Sequence, residues 1–263
     1  MRQKLTNKLN KYIEYDPNAK GYRYIVDGEG KSSVTTLIGT YKNTKAFEAR
    51  KRNKCLDALK TILLKENKPL DEINSLIEQA KKDGEELEKY EMTIGSDLHE
   101  FIELYLKGKK LIFSTKEPLK TMQHKFVEWW DKQKFIVKEL EFPMYSSKYD
   151  RAGCLDIIVT KEKWNGELAL MDFKTSVDFF SDQPVQLFTY KNFLEESTDL
   201  KIQRVAIVNI PKDKGKPISL MPLSLKYEKR YFKAFTSAMY LEKIDKFFND
   251  QKKKFKKENK RNV

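Results

Sequence analysis

Cysteines are scarce in this chain, and their scarcity excludes several kinds of metal site. Only two of the 263 residues are cysteines, Cys55 and Cys154, and no CxxC pair occurs. A zinc ribbon is therefore not expected, and an iron–sulfur cluster with four cysteine ligands cannot form within one chain. We expect Cys154 to be a small core residue and the protein to work in a reducing, cytoplasmic environment.

Long apolar runs are also absent. No stretch approaches the ~18 apolar residues that a membrane-spanning helix needs, so we expect no membrane segment. The first residues, Met1 to Leu5, lack the apolar region of a signal peptide, and none is expected.

Positive charge is what the chain has in excess. Lys and Arg number 52 against 39 Asp and Glu, which gives a formal net charge of +13. A basic surface of this size suits a polyanion, most simply nucleic acid. Solubility, or the lysine-rich coding of an AT-rich genome, would also produce it. Aromatic residues make up 12% of the chain, enough for a core and for base-stacking positions.

Two apolar segments, residues 152–159 and 168–176, have the composition of paired strands. Asn165-Gly166 lies near the start of the second segment. Both central residues of a type I′ turn need positive φ, which Asn and Gly tolerate, so the pattern predicts a β-hairpin. We expect Gly153 to allow a close backbone approach, to a phosphate or at a tight strand crossing.

Each of these predicted strands carries an aspartate within its apolar run, Asp156 in the first and Asp172 in the second. A buried carboxylate needs a cation or several hydrogen-bond donors nearby. Residues two apart in a strand point the same way, so Asp172 and Lys174 should share one face. Two acids and a lysine on paired strands suit a divalent metal ion and a phosphate.

These motifs resemble the PD-(D/E)XK nuclease superfamily, and within it the RecB-type exonuclease branch of phages and mitochondria, without an iron–sulfur cluster. A lone D-x-K triplet is unspecific, whereas the ordered set is far more specific. The resemblance covers under half of the chain. The matching pieces are Gly95…His99, Gly153…Asp156, Asp172-Phe-Lys174-Thr175 and Gln186…Tyr190.

The resemblance implies a metal centre. Asp156 and Asp172 would hold Mg²⁺ or Mn²⁺, and the His99 imidazole would complete the site. The backbone carbonyl of Phe173 would be a further ligand. Lys174 would position or activate the attacking water and offset charge at the phosphate.

Four more residues receive roles from the same resemblance. Gln186 would orient DNA or water, and Tyr190 would line the path of the strand, although without the resemblance Tyr190 reads as a core aromatic. Glu141 would join the metal ligands or lie on the surface. Glu103 would contact the metal ligands without binding the metal itself, or it would lie on the surface.

The fold implied is α/β, a restriction-endonuclease-like mixed central sheet flanked by helices, with extra N-terminal and C-terminal helical elements. We expect one nuclease domain over residues 1–263. It would comprise an N-terminal hairpin and helical part at about 1–130, a catalytic core at about 93–223, and a C-terminal helix and basic tail at 224–263.

Local patterns add several expectations. Residues 1–20 suggest a short lead-in helix, and residues 21–38 suggest a hairpin that includes the β-branched run from Ser33. Charged helices should fill residues 45–90, and Ser96 or Asp97 should cap a helix that ends near Lys107.

The function implied is a metal-dependent DNA exonuclease acting in phage or cellular DNA replication, repair or recombination. Its partner would be DNA, with a single-stranded end preferred, and recombination or replication proteins would be further partners. A phage-encoded chain would work in the host cytoplasm. Two alternatives stay open: an endonuclease or structure-selective nuclease on the same core, and a non-catalytic nucleic-acid-binding protein. Oligomeric state is left open.

Overall fold

The computed structural model describes residues 3–6, 11–17, 19, 21–41, 53–55, 57–59, 61–62 and 73–261. The chain divides into two units. The first comprises Met1–Tyr41, Val127–Pro211 and Pro217–Val263, and the second comprises Lys42–Phe126 and Lys212–Lys216. The single domain expected from the sequence stays a prediction.

An antiparallel four-stranded sheet opens the first unit. Its strands follow one another in order: β1 (Gln3–Thr6), β2 (Tyr12–Tyr15), β3 (Tyr24–Val26) and β4 (Glu29–Lys31). The lead-in helix predicted for residues 1–20 is therefore wrong. Asp27 and Gly28 both have positive φ, 49° and 85°, which suits the tight turn between β3 and β4.

A helix, α1 (Val34–Tyr41), occupies part of the segment for which a hairpin was predicted. The Ser33 hydroxyl accepts a hydrogen bond from the Thr36 backbone N–H at 3.0 Å, which caps the helix. Val34 and Leu37, three residues apart, are buried on one side. The cap and this spacing outweigh the strand preference of the β-branched residues.

The second unit contains a long helix, α2 (Ile73–Leu106), and most of α3 (Leu119–Gln133). The helix start predicted at Ser96 or Asp97 is wrong, because α2 passes through both residues. Its buried stripe continues past this point with Ile94, Leu98 and Ile102. The predicted helices of residues 45–72 lie largely outside the described residues, although the described residues between 53 and 62 are helical.

A mixed five-stranded sheet forms the second layer of the first unit, which confirms the predicted fold class. β5, β6 and β7 are antiparallel, β7 and β8 are parallel, and β9 is antiparallel to β8. The strands are β5 (Ile136–Ser146), β6 (Arg151–Thr160), β7 (Ala169–Lys174), β8 (Arg204–Asn209) and β9 (Ser219–Leu223).

The predicted hairpin is present between β6 and β7, but its connection is longer than a two-residue turn. A single 3₁₀ turn, Glu162–Trp164, precedes Asn165 and Gly166, whose φ values are 50° and 88°. The Thr160 hydroxyl donates to the Glu167 carbonyl at 2.7 Å and closes the loop. Asn-Gly therefore supplies left-handed backbone within a loop that spans residues 161–168.

Two helices flank this sheet. The first, α4 (Asp182–Ser197), packs across β5 to β8, and the second, α5 (Glu228–Arg261), packs against α4. Phe188, Phe193 and Phe235 are fully buried between these layers. Within the described part of the chain, no helix has an apolar stretch long enough to cross a membrane.

Candidate active site

Asp172 and Lys174 lie at the end of β7 and contact each other. The Lys174 ammonium forms an ion pair with the Asp172 carboxylate, of which only 2% is exposed. The shared face predicted from their two-residue spacing is therefore observed. Burial alone would lower the pKa of Lys174, but the charges of Asp172 and Asp156 outweigh it and raise that pKa above its usual value. Lys174 is consequently a cation at neutral pH.

Gln186, in the second turn of α4, joins both members of this ion pair. Its Oε1 accepts a hydrogen bond from Lys174 Nζ at 3.3 Å, and its Nε2 donates to Asp172 Oδ1 at 3.2 Å. One amide group thus accepts a hydrogen bond from an ammonium and donates one to a carboxylate. The three side chains form a single hydrogen-bonded cluster.

Asp156 reaches the same strand from β6. Its Oδ2 accepts a hydrogen bond from the Phe173 backbone N–H at 2.7 Å. The pairing of β6 with β7 runs from Val159–Ala169 to Ile157–Met171, so it stops just before the two aspartates. Where the backbone pairing ends, the Asp156 side chain accepts the next hydrogen bond from β7. This contact places Asp156 beside Asp172. The predicted role of the Phe173 carbonyl as a metal ligand stays a prediction.

Glu141 joins the acids from β5. The pairs Leu140–Ile157 and Phe142–Leu155 put it opposite Asp156, and carboxylate oxygens of the two residues lie within 4.8 Å of each other. Its φ of 49° is uncommon for a residue other than glycine. Cys154, which is buried as predicted, has its sulfur 3.6 Å from Glu141 Oε2. Glu141 therefore belongs to the acid cluster, and its place there depends on a locally strained backbone.

Tyr190 approaches the cluster from inside the core. Tyr190 is only 2% exposed. The resemblance implied a place along the DNA path, whereas the structure buries this side chain. Burial raises the pKa of the Tyr190 hydroxyl well above its usual value, and the charges of Asp172 and Asp156 act in the same direction.

The Tyr190 ring explains why residue 153 is a glycine. A Cβ at position 153 would lie closer than 3.0 Å to the Tyr190 ring. The close approach predicted for Gly153 is thus observed, but to a tyrosine ring and not to a phosphate or at a strand crossing. Neither this contact nor the one between Cys154 and Glu141 was predicted. The only sequence signal for the second was the two-residue spacing of Cys154 and Asp156.

His99 and Glu103 lie one helical turn apart on α2, in the second unit. The Glu103 carboxylate pairs with Lys107 one turn further along. The roles predicted for His99 at the metal and for Glu103 behind it stay predictions.

Comparisons with known proteins add little beyond this geometry. No protein-family model matches the chain, and no curated protein matches it. Among solved structures, this chain is similar to a protein from Eubacterium rectale that is provisionally named an exonuclease. The match covers 60% of this chain and 67% of the other, with 12% sequence identity and a TM-score of 0.42.

Proposed function

We propose that this chain is a Mg²⁺- or Mn²⁺-dependent deoxyribonuclease, and specifically an exonuclease acting on DNA ends in replication, repair or recombination. The observation that carries the proposal is the hydrogen-bonded cluster of Asp172, Lys174 and Gln186, with Asp156 beside it. Asp172 is buried, and a buried carboxylate paired with a lysine is a costly arrangement that chemistry on a charged substrate would explain.

The donor set fits a small, hard cation. Glu141 and Asp156 bring carboxylate oxygens within 4.8 Å of each other, and Asp172 lies on the neighbouring strand. Like charges at this separation repel, and a divalent ion among them would reverse that repulsion. We assign Asp156, Asp172 and Glu141 as its ligands, with the Phe173 carbonyl as a further one. When bound, the ion would supply Lewis-acid charge at the phosphate and make a water more acidic.

Lys174 and Gln186 would act on the substrate directly. The Lys174 ammonium is fixed by Asp172 and by Gln186, so it can offset charge on a phosphate oxygen without reorganising. The hydrogen bonds of Gln186 to Lys174 and Asp172 keep its amide oriented. Together these groups would position the attacking water and the phosphate.

Single substitutions test the assignment. Asp172→Asn, Asp156→Asn and Lys174→Met should each slow Mg²⁺- or Mn²⁺-dependent cleavage of labelled DNA by at least about 100-fold. Binding of the same DNA in a chelator should survive. The matched control is Asp131→Asn, an exposed carboxylate on α3. Wild-type cleavage by any of the three site variants would refute the assignment.

The substrate ends define the class of nuclease. Time courses on 5′- and 3′-labelled single- and double-stranded DNA should show stepwise loss from an end, while a closed single-stranded circle stays intact. Cleavage of the circle would identify an endonuclease. Intact binding with no metal-dependent cleavage of any substrate would identify a non-catalytic nucleic-acid-binding protein.

The two histidines of the chain allow a matched test of the predicted metal ligand. His124 is exposed and stacks on Phe113, with ring centroids 4.6 Å apart. His99→Ala should weaken Mn²⁺ binding measured by calorimetry, whereas His124→Ala should not. Equal Mn²⁺ affinity in both variants would refute the role predicted for His99.

A further inference from the structure

A pocket in the first unit lies between the turn joining β5 to β6 and the N-terminal half of α5. Its volume is about 500 Å³, within the usual range for small-molecule sites. None of the residues assigned to catalysis lines it. The side chains that matter are Lys148, Arg151, Tyr240, Lys243 and Lys246, here called the basic pocket.

Arg151 is the buried member of the basic pocket, with 8% of its side chain exposed. Its Nη1 donates to the Asp150 carbonyl at 2.8 Å, and its Nη2 pairs with the Glu242 carboxylate. Its Nε is buried and has no hydrogen-bond partner among the described residues. A buried donor without an acceptor is unfavourable, and an oxygen of a ligand in the pocket would satisfy it.

The charges around Arg151 favour an anion. Four cations line the pocket against two carboxylates, those of Asp150 and Glu242. Asp150 already accepts from the Tyr145 hydroxyl at 2.8 Å and pairs with Lys31 at 3.1 Å. Glu242 is shared between Arg151 and Lys246.

Two lysines of the basic pocket can meet a ligand, and one of them, Lys148, has its ammonium over the Tyr149 ring, 5.2 Å from the ring centroid. Over the described ranges of the chain, neither Lys148 nor Lys243 takes part in an ion pair. The Tyr240 ring is 64% exposed and lines the same pocket. Arginine and lysine recognise phosphate, and an exposed aromatic ring offers a stacking surface for any base.

We propose that the basic pocket binds the phosphate of a nucleotide unit, with its base against Tyr240. The choice of a nucleotide rests on the proposed nuclease function. Arg151 precedes Asp156 by five residues on β6, which corresponds to about 16 Å. A mononucleotide in the pocket therefore cannot touch Asp156. The phosphate comes either from a longer strand or from a released mononucleotide.

The salt dependence of binding tests the pocket. Affinity for a fluorescent oligothymidylate of about 20 nucleotides is measured by anisotropy in a chelator, between about 50 and 200 mM KCl. Each single-strand phosphate contact contributes about 0.7 to the slope of log K against log salt, so Lys148→Met/Lys243→Met should reduce its magnitude by up to about 1.4. This pair is used because Arg151→Met removes a buried ion pair and could unfold the protein.

A second pair of lysines controls for general charge. Lys254→Met/Lys257→Met removes the same charge from exposed positions on α5. The pocket pair should change the slope more than this control pair does. Equal changes would overturn the proposal, because they would mean diffuse attraction without a defined site.

Tyr240 provides a second measurement. Tyr240→Ala should weaken oligothymidylate binding by about 5- to 150-fold, the range for loss of one stacked base, while Tyr240→Phe should stay near wild type. No effect of Tyr240→Ala would overturn the stacking assignment. Competition by thymidine monophosphate would identify a free nucleotide as the source of the phosphate, and its failure to compete would identify the strand.

A small substrate separates this proposal from the proposed nuclease activity. A chromogenic phosphodiester with nitrophenyl groups is too short to reach both sites, so the pocket variants should hydrolyse it with Mn²⁺ at the wild-type rate. Normal hydrolysis with unchanged oligothymidylate binding would reject the pocket alone. No hydrolysis by any form, with the binding differences intact, would reject the nuclease alone.

Discussion

Replacing Gly153 by alanine measures how closely β6 packs against α4. The new Cβ would lie closer than 3.0 Å to one atom of the Tyr190 ring, and 3.1 and 3.2 Å from two others, whereas ordinary contact begins at 3.4 Å. The ring is 2% exposed within the core, so it cannot move without displacing its neighbours. Overpacking of this kind costs about 1–3 kcal/mol. We expect about 2 kcal/mol, which corresponds to a fall in melting temperature of about 4–8 °C.

Urea unfolding followed by circular dichroism gives the free energy of unfolding. Gly39→Ala is the matched control, because no atom lies within 4 Å of a Cβ built there in α1. Alanine favours a helix by up to about 1 kcal/mol over glycine, so this control should be neutral or slightly stabilising.

A double variant identifies the ring as the cause. In a Tyr190→Leu background the clashing ring atoms are gone, and Gly153→Ala should cost less than about 0.5 kcal/mol. The reasoning fails if Gly153→Ala is neutral in the wild-type protein, or if it costs the same in both backgrounds.

Three further changes in stability follow from single contacts, each measured by urea unfolding. Ser33→Ala removes the cap of α1 and should cost about 1 kcal/mol. The Tyr145 hydrogen bond, and then Lys31, lower the pKa of Asp150, so this contact stabilises the fold above pH 3.8 and loses its effect as the pH falls through the lowered pKa. Tyr145→Phe should therefore cost about 1 kcal/mol at pH 7 and less at pH 3, after allowing for the exposure of Asp150. Glu242→Gln leaves the buried Arg151 without its countercharge and should cost about 2 kcal/mol.

Each of these changes has a control at an exposed position. Thr40→Ala, Tyr22→Phe and Asp250→Asn should each stay within about 0.5 kcal/mol of wild type. A neutral Ser33→Ala would argue against the capped helix. A cost of Tyr145→Phe that does not change with pH would argue against the Asp150 contact, and a neutral Glu242→Gln would mean that water reaches Arg151.

The chemistry of the site could be predicted where it depends on local spacing. Asp172 and Lys174 share a face because side chains alternate along any strand, whatever the strand packs against. The apolar runs that became β6 and β7 were also recognisable, since only buried strands or helices contain such runs. The paired acids and the lysine therefore followed from the sequence.

Other features of the site could not be predicted from spacing. The pairing of β6 and β7 ends beside Asp156, which frees its side chain to bond the Phe173 N–H. Glu141 lies in the middle of β5 opposite Asp156, and its own backbone is in the left-handed conformation. Glutamate does not favour that conformation, so no local preference signals it.

The prediction of secondary structure failed where tertiary contacts outweigh local preference. The β-branched run after Ser33 forms α1, because Val34 and Leu37 are buried there and Ser33 caps the helix. Ser96 starts no helix, because the buried stripe of α2 continues through that position and its hydroxyl bonds the Met92 carbonyl inside the helix.

The sequence by itself determined the types of residue in the site, the order of its strands along the chain, and which side chains share a strand face. The tertiary structure decided which strands are neighbours, where their pairing ends, and that Gly153 faces the Tyr190 ring. The physical reason is that alternation and turn preference act between adjacent residues, whereas packing and strand pairing join residues far apart in the chain, whose partners no local pattern specifies.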